Sequence, residues 1–283
     1  DILAAIASEY VDIPVYVYKD FYIPKNLLSR NTFVLAISYS GNTLETLAAA
    51  FRSLNSGAKV GVVTSGGKLL ELAKARALPY TTVKSGLVPR LAMPMMLVAA
   101  LRLLNACGLS LVPMDIVKAS VNIMRDTEKA VSRAAEVAQL LIESSIPSIV
   151  ASTRYQALAY RFKNELNENS KMPVKVEILP ELFHNDIVGW EAPKLRDVVI
   201  LIDSDVDYEN KLIEFYADFL KSVELKTYLM RLEGNIIERY FMGSLVAGIA
   251  SVYIAQQRGL DPVQTRSIAK YKEVVKSLER LVL

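Results

Sequence analysis

Continuously apolar runs at residues 60–63 and 198–202 constrain the fold of this chain most strongly. Strands of this kind are buried on both faces, which is typical of parallel sheets covered by helices. Further short β-branched runs recur along the 283 residues and alternate with longer segments of helical periodicity. The sequence therefore predicts an α/β architecture with doubly wound parallel sheets.

The predicted strands fall into two groups, separated by helical stretches at 91–106 and 114–143 that break at Gly108 and Pro113. The groups are residues 15–18, 32–37, 59–64 and 80–83, and residues 148–152, 174–178, 198–202 and 227–231. We therefore expect two domains of similar design, at residues 1–112 and 145–283, joined by a helical connector at residues 113–144.

The sequence opens in a helical pattern at residues 2–7, with no strand before it. The first strand of a doubly wound sheet is usually central, so its loss would expose core and unpaired backbone groups. We therefore expect that the first domain lacks its N-terminal strand in this sequence and that the natural protein is longer at this end.

Composition excludes several classes of function. The 33 basic and 30 acidic residues give a net charge of only +3, without the basic stripe of a nucleic-acid or membrane-surface protein. The 15-residue apolar stretch 241–255 is shorter than the roughly 20 residues that span a bilayer, so a buried helix is expected. The single cysteine, Cys107, cannot form an internal disulfide, which favours a reducing cytoplasm and a buried, inert thiol.

A hydroxyl-rich turn follows the apolar run 33–37 and leads into a helical pattern that begins at Leu44. Its sequence is Ser38-Tyr39-Ser40-Gly41-Asn42-Thr43. Helix N-termini carry unpaired N–H groups and a partial positive charge, so this turn is suited to a small phosphate monoester held by Ser38, Ser40 and Thr43. The alternative is that Asn42 and Glu45 simply cap the helix.

A second turn, Thr64-Ser65-Gly66-Gly67, follows the next predicted strand. Neighbouring strand-to-helix turns of one parallel sheet converge on one crevice, which makes Ser65 a second candidate for substrate binding. An ordinary tight turn with a helix cap is the alternative.

The turn with its continuation Glu45-Thr46-Leu47 resembles the phosphosugar loop of the sugar isomerase (SIS) domain family. Three later segments resemble the archaeal-type bifunctional phosphoglucose/phosphomannose isomerases of that superfamily. They are Val88-Pro89-Arg90, Asn167-Glu168-Asn169-Ser170-Lys171 and Pro180-Glu181 with His184-Asn185. The resemblance covers the whole chain and implies two tandem, flavodoxin-like SIS domains.

The resemblance also assigns catalytic roles. Arg90 is expected to stabilise a negatively charged intermediate, and Glu168 is expected to be the base that moves a proton between C1 and C2. His184, the only histidine, is expected to assist ring opening, and Phe183 stands where a second histidine is frequent in the family. Each also has a structural alternative: Arg90 and Glu168 as solvated helix-end residues, and His184 as a surface or capped residue.

Near the end of the chain, Thr265 and Lys272 lie seven residues apart and so share one face of a predicted helix. The resemblance implies that Lys272 helps to open the ring and that Thr265 contacts a substrate hydroxyl. Lys272 could equally be one solvated member of a lysine-rich helix that also holds Lys270 and Lys276.

As a whole, the resemblance implies a metal-independent aldose–ketose isomerase without a cofactor, acting on glucose, fructose and mannose 6-phosphates. One histidine and one cysteine cannot build a usual transition-metal site. In the family the histidine loop reaches the neighbouring subunit's site, which implies a homodimer. Two alternatives stay open: a non-catalytic phosphosugar-binding regulator, and an enzyme acting on amino sugars or pentose phosphates.

Overall fold

The structure is a computed structural model that describes residues 1–192 and 197–278. Within these residues it contains seven strands: β1 (Phe33–Ser38), β2 (Lys59–Thr64), β3 (Tyr80–Thr82), β4 (Ser148–Ser152), β5 (Lys175–Leu179), β6 (Val198–Ile202) and β7 (Lys226–Met230). Its α-helices are α1 (Ile2–Ala7), α2 (Leu44–Asn55), α3 (Gly67–Ala75), α4 (Met93–Ala106), α5 (Met114–Ser120), α6 (Thr127–Leu141), α7 (Gln156–Ser170), α8 (Asp186–Gly189), α9 (Asp207–Ser222), α10 (Ile236–Gln257) and α11 (Arg266–Ser277).

The chain forms two compact units. The first unit comprises Ala7–Val117 and Thr265–Leu283, and the second comprises Asp1–Ile6 and Lys118–Gln264. These bounds differ from the predicted segments 1–112, 113–144 and 145–283 in three places. Asp1–Ile6 belongs to the second unit, helix α11 belongs to the first unit, and the predicted connector lies mostly within the second unit.

The first unit contains a parallel sheet of order β1-β2-β3. Helices α2 and α3 cover one face through a cluster that includes Leu47, Val62 and Leu69. Helix α4 covers the other face, since a Cβ added to Gly61 would contact the Leu103 side chain. Because all three strands are parallel, the loops after β1, β2 and β3 emerge at the same edge of the sheet.

The second unit contains a parallel sheet of order β5-β4-β6-β7. Strands β4 and β6 are buried along their whole length, as expected for strands covered on both faces. The crossovers β4-α7-β5 and β6-α9-β7 run in opposite directions across the sheet. Since such crossovers are right-handed, α7 and α9 lie on opposite faces. This doubly wound α/β arrangement confirms the predicted fold class.

Two predicted elements were wrong. Residues 15–18 form no strand in the described structure, and Tyr16, Val17 and Tyr18 are 66%, 44% and 42% exposed. Aromatic and β-branched composition favours a strand only where a neighbouring strand pairs with its backbone. The continuous helix predicted at 114–143 is broken after α5 by a 3-10 turn at Val121–Arg125, and Asp126 then caps α6 by accepting from the Lys129 N–H at 3.3 Å.

No helix among the described residues is long and apolar enough to cross a membrane.

Candidate active site

The loop after β1 is organised by its own hydroxyl groups. Ser38 Oγ lies 2.8 Å from Thr43 Oγ1 and accepts the Gly41 N–H at 3.1 Å, while Ser40 Oγ accepts the Asn42 N–H at 3.2 Å. Thr43 is the N-cap residue of α2, yet its side chain makes no capping hydrogen bond. The first turn of α2 is therefore not satisfied by its cap residue, which suits an anion-binding helix N-terminus.

Asn42 does not cap α2, contrary to the structural alternative. Its Oδ1 accepts the N–H of Lys68, in the first turn of α3, at 3.0 Å. Gly41 and Gly67 both adopt positive φ angles, of 67° and 70°. A Cβ on Gly41 would overlap the carbonyl oxygen of Gly66, so the loops after β1 and β2 interlock and only glycine fits at this position.

Ser65 contributes to the same interlock. Its N–H and its hydroxyl both donate to the carbonyl oxygen of Tyr39, at 2.9 and 2.6 Å. The hydroxyl proton of Ser65 is therefore committed to a bond within the protein, and only its oxygen lone pairs remain as acceptors. The predicted substrate contact of Ser65 stays a prediction, and its described contacts are structural.

The Tyr39 side chain connects the loop after β1 to the loop after β3 at this edge of the sheet. The Tyr39 hydroxyl donates to the Lys84 carbonyl at 3.0 Å and accepts the Leu87 N–H at 2.8 Å. Arg90 follows three residues later, half-buried in a 3-10 turn at Pro89–Ala92 that leads into α4. The loop that carries Arg90 is thus held at the same edge as the hydroxyl-rich loop.

Helix α11 brings a further pair of predicted residues to this edge. The Tyr271 hydroxyl donates to Glu45 Oε1 at 2.6 Å, and Glu45 lies in the first turn of α2, two residues after Thr43. This hydrogen bond raises the pKa of Tyr271. Thr265 is the N-cap residue of α11 and Lys272 is exposed on it. The first unit therefore gathers the hydroxyl loop, Arg90 and the helix of Lys272.

Glu168 lies in the last turn of α7, in the second unit, and is half-buried. Lys171 ends this helix in a left-handed conformation, and its Nζ donates to the Glu168 carbonyl at 2.6 Å. Glu165, three residues earlier, is only 1% exposed and forms an ion pair with Arg161. Glu165 Oε2 also accepts from Asn169 Nδ2 at 2.8 Å. The Glu165 carboxylate is thus buried and bound by Arg161 and Asn169, and Glu168 is the more accessible of the two.

His184 is the last residue of a 3-10 turn at Glu181–His184 that follows β5, and it is exposed. Its neighbour Phe183 packs into the core beside α9, with ring centroids 5.6 Å from Phe215 and 5.8 Å from Tyr216. The core position of residue 183 explains why an apolar ring fits there.

The described structure does not bring Glu168 and His184 together. Glu168 is on α7, whereas the segment of His184 packs against α9, on the opposite face of the same sheet. Sequence reasoning missed the contacts that Tyr39 and Asn42 make between loops, because both depend on neighbouring strands of the sheet.

Among residues 1–192 and 197–278, no group of three or more His, Cys, Asp or Glu side chains is arranged to hold a metal ion.

Parallel sheets with a hydroxyl-rich loop at a helix N-terminus are the features of a SIS-domain phosphosugar protein. Residues 130–275 match the family described as "Bacterial phospho-glucose isomerase C-terminal SIS domain". A bifunctional phosphoglucose/phosphomannose isomerase from Aeropyrum pernix is 34% identical, over 94% of this chain and 84% of the relative. One from Aquifex aeolicus is 32% identical, over 97% and 87%. The chain belongs to this family of SIS-domain isomerases.

Other relatives carry other names. A D-glucosamine-6-phosphate 4-epimerase from Sulfolobus acidocaldarius is 32% identical, over 93% of this chain and 82% of the relative. A solved structure of a hypothetical protein from Thermus thermophilus superposes with a TM-score of 0.75 at 14% identity, covering 98% of this chain and 80% of that one. This last likeness concerns the fold alone.

Proposed function

We propose that this chain is an aldose–ketose isomerase that interconverts glucose 6-phosphate and fructose 6-phosphate and also accepts mannose 6-phosphate. The observation that carries the proposal is the N-terminus of α2, which has no side-chain capping bond from Thr43 and directly follows the hydroxyl-rich loop of Ser38, Ser40 and Thr43. It occurs in a chain 34% identical to a protein named for both isomerase activities. A phosphate monoester is the guest that such a helix N-terminus favours.

Each chemical step has a candidate residue in this proposal. The hydroxyl loop binds the phosphate, with Ser65 beside it, and His184 and Lys272 exchange the proton that opens the ring. Glu168 then moves a proton between C1 and C2 through a cis-enediol, while Arg90 stabilises the developing enediolate. Thr265 contacts a sugar hydroxyl. No metal or cofactor is used, since a carboxylate base and a fixed positive charge suffice for this proton transfer.

The proposal includes a homodimer in which His184 acts on substrate bound by the other subunit. The exposure of His184, and its position across the sheet from Glu168, support this arrangement. The chain has a single cysteine, Cys107, and we propose the reducing cytoplasm as the location of the protein.

A panel of substrates tests the proposal directly. We expect the purified protein to convert glucose 6-phosphate and mannose 6-phosphate to fructose 6-phosphate without added metal, measured by coupled assay and by carbon NMR. If no hexose phosphate reacts, although hexose phosphates raise the melting temperature, the chain is a phosphosugar-binding protein and not an isomerase.

A second function is favoured by one specific observation, the 32% identity with the glucosamine-6-phosphate 4-epimerase. This identity is close to that of the isomerases, so sequence similarity does not separate the two. Incubation with glucosamine 6-phosphate, followed by NMR, separates them because epimerisation inverts C4 and leaves C1 and C2 unchanged. Formation of the C4 epimer, without isomerisation of glucose 6-phosphate, would replace the proposed reaction.

Replacing Ser40 and Thr43 together with Ala should raise the KM for hexose phosphates more than tenfold. Each lost hydrogen bond to a charged group costs about 1.5–3 kcal/mol. The matched control is the double replacement of Ser29 and Thr32, whose hydroxyls lie 3.2 Å apart just before β1, at the opposite edge of the same sheet. Steady-state kinetics of both variants measure the effect, and an equal KM in the two would remove the phosphate role of the loop.

A further inference from the structure

The segment that follows His184 is fixed by an almost buried carboxylate. Asp186, the first residue of α8, has a side chain only 6% exposed. It accepts hydrogen bonds from the Trp190 indole N–H at 3.0 Å and from the Tyr216 hydroxyl at 2.7 Å, both at Oδ2. Lys175 Nζ donates to the other oxygen, Oδ1. Three donors from β5, from the end of α8 and from α9 thus converge on one carboxylate.

Lys175 is the cationic partner of Asp186 in this cluster. Burial lowers the pKa of Lys175, but the hydrogen bond and charge of Asp186 outweigh it and the pKa is raised overall. Glu177 also lies 3.4 Å from Lys175 Nζ, and the ammonium group is 5.5 Å from the centre of the Trp190 ring. The pKa of Tyr216 is raised, first by burial and then by its hydrogen bond to Asp186. The Asp186 side chain therefore accepts from one charged donor and from two neutral donors.

His184 lies between two anchored residues. On one side Phe183 packs against the rings of Phe215 and Tyr216, and on the other side Asp186 is held by its three donors. Tyr216 takes part in both anchors. His184 itself is exposed. The contacts of Phe183 and Asp186 therefore fix the backbone on both sides of an exposed imidazole.

We propose that Asp186 is the positioning residue of His184: it clamps residues 183–190 to the second sheet and to α9 and thereby fixes the imidazole for its reaction. This inference rests on the role of His184 in the proposed function. A positioning residue acts only through the group that it orients, so its effect must disappear when that group is removed. A displacement of about 1 Å at a catalytic group can lower the rate about a hundredfold.

Two residues that occur once in the sequence can report on the contacts of Asp186. His184 is the only histidine and Trp190 the only tryptophan in the sequence. The imidazole NMR signal therefore reports the position of His184, and indole fluorescence reports the hydrogen bond to Asp186. Neither measurement depends on turnover.

In Asp186→Ala we expect the Trp190 emission to shift to longer wavelength, the His184 signal to shift and broaden, and kcat/KM for glucose 6-phosphate to fall about tenfold or more. Tyr216→Phe, which removes one donor only, should give smaller changes in the same directions. It also keeps the test available if Asp186→Ala does not fold. In a His184→Ala background, Asp186→Ala should cause no further loss of kcat/KM.

Asp205→Ala is the matched control. Its carboxylate also accepts three hydrogen bonds, two from Arg154 and one from the Tyr155 hydroxyl, in the loop after β6. This variant should lower the melting temperature and leave the His184 signal in place. An unchanged His184 signal in Asp186→Ala, or a full additional loss in the His184→Ala background, would overturn the positioning role. A displaced His184 signal with unchanged kcat/KM would instead overturn the role of His184 in the proposed function.

Discussion

Glu168→Gln should lower kcat for hexose phosphates by at least about a hundredfold while leaving KM almost unchanged. The amide keeps the shape of the side chain and removes the base, which is the signature of lost acid–base catalysis. The half-buried position of Glu168 at the end of α7 allows this change without a packing defect. Exchange of the C2 proton with deuterated solvent, followed by NMR, measures the same step without relying on net conversion.

Glu165→Gln provides a contrast on the same helix. Glu165 is buried and paired with Arg161, whose side chain is 17% exposed, so its neutralisation removes the charge that faces this guanidinium. Removing one partner of a buried pair costs about 3–5 kcal/mol. This variant should melt at a lower temperature but retain its kcat when folded. If C2 exchange continues at the normal rate in Glu168→Gln, the base is a different residue.

The fold was largely predictable because its central strands are buried on both faces. Strands β2, β4 and β6 were predicted with the bounds that the structure has, since covering helices impose continuous apolar runs on them. The segment 15–18 has equally strand-like composition and forms no strand. Its state depends on pairing with another part of the chain, which local composition does not encode.

The candidate site was predictable only in part. The hydroxyl loop is local, so the spacing of Ser38, Ser40 and Thr43 indicated it directly. The hydrogen bond of Tyr271 to Glu45 joins residues 226 positions apart, and it shows how α11 approaches the loop. The sequence does not show that Glu165, three residues before Glu168 on α7, forms an ion pair with Arg161.

Mixing the inactive variants Glu168→Gln and His184→Ala should restore about a quarter of wild-type activity. In one chain Glu168 lies on α7, whereas His184 follows Phe183, which packs against α9 on the opposite face of the second sheet. This arrangement favours the use of the two residues in sites of different subunits. After full subunit exchange of equal amounts, about half of the dimers are mixed. Each mixed dimer has one intact site, built from Glu168 of one chain and His184 of the other, and one site with both lesions.

The recovery distinguishes shared from separate sites because it requires the two residues of one site to come from different chains. If each subunit used its own Glu168 and His184, every site in a mixed dimer would keep one lesion, and activity would stay at the level of the single variants. Native mass spectrometry must first show that mixed dimers form. Their presence without recovered activity would mean that His184 serves its own subunit, and its exposure on the α9 side of the sheet would then need another explanation.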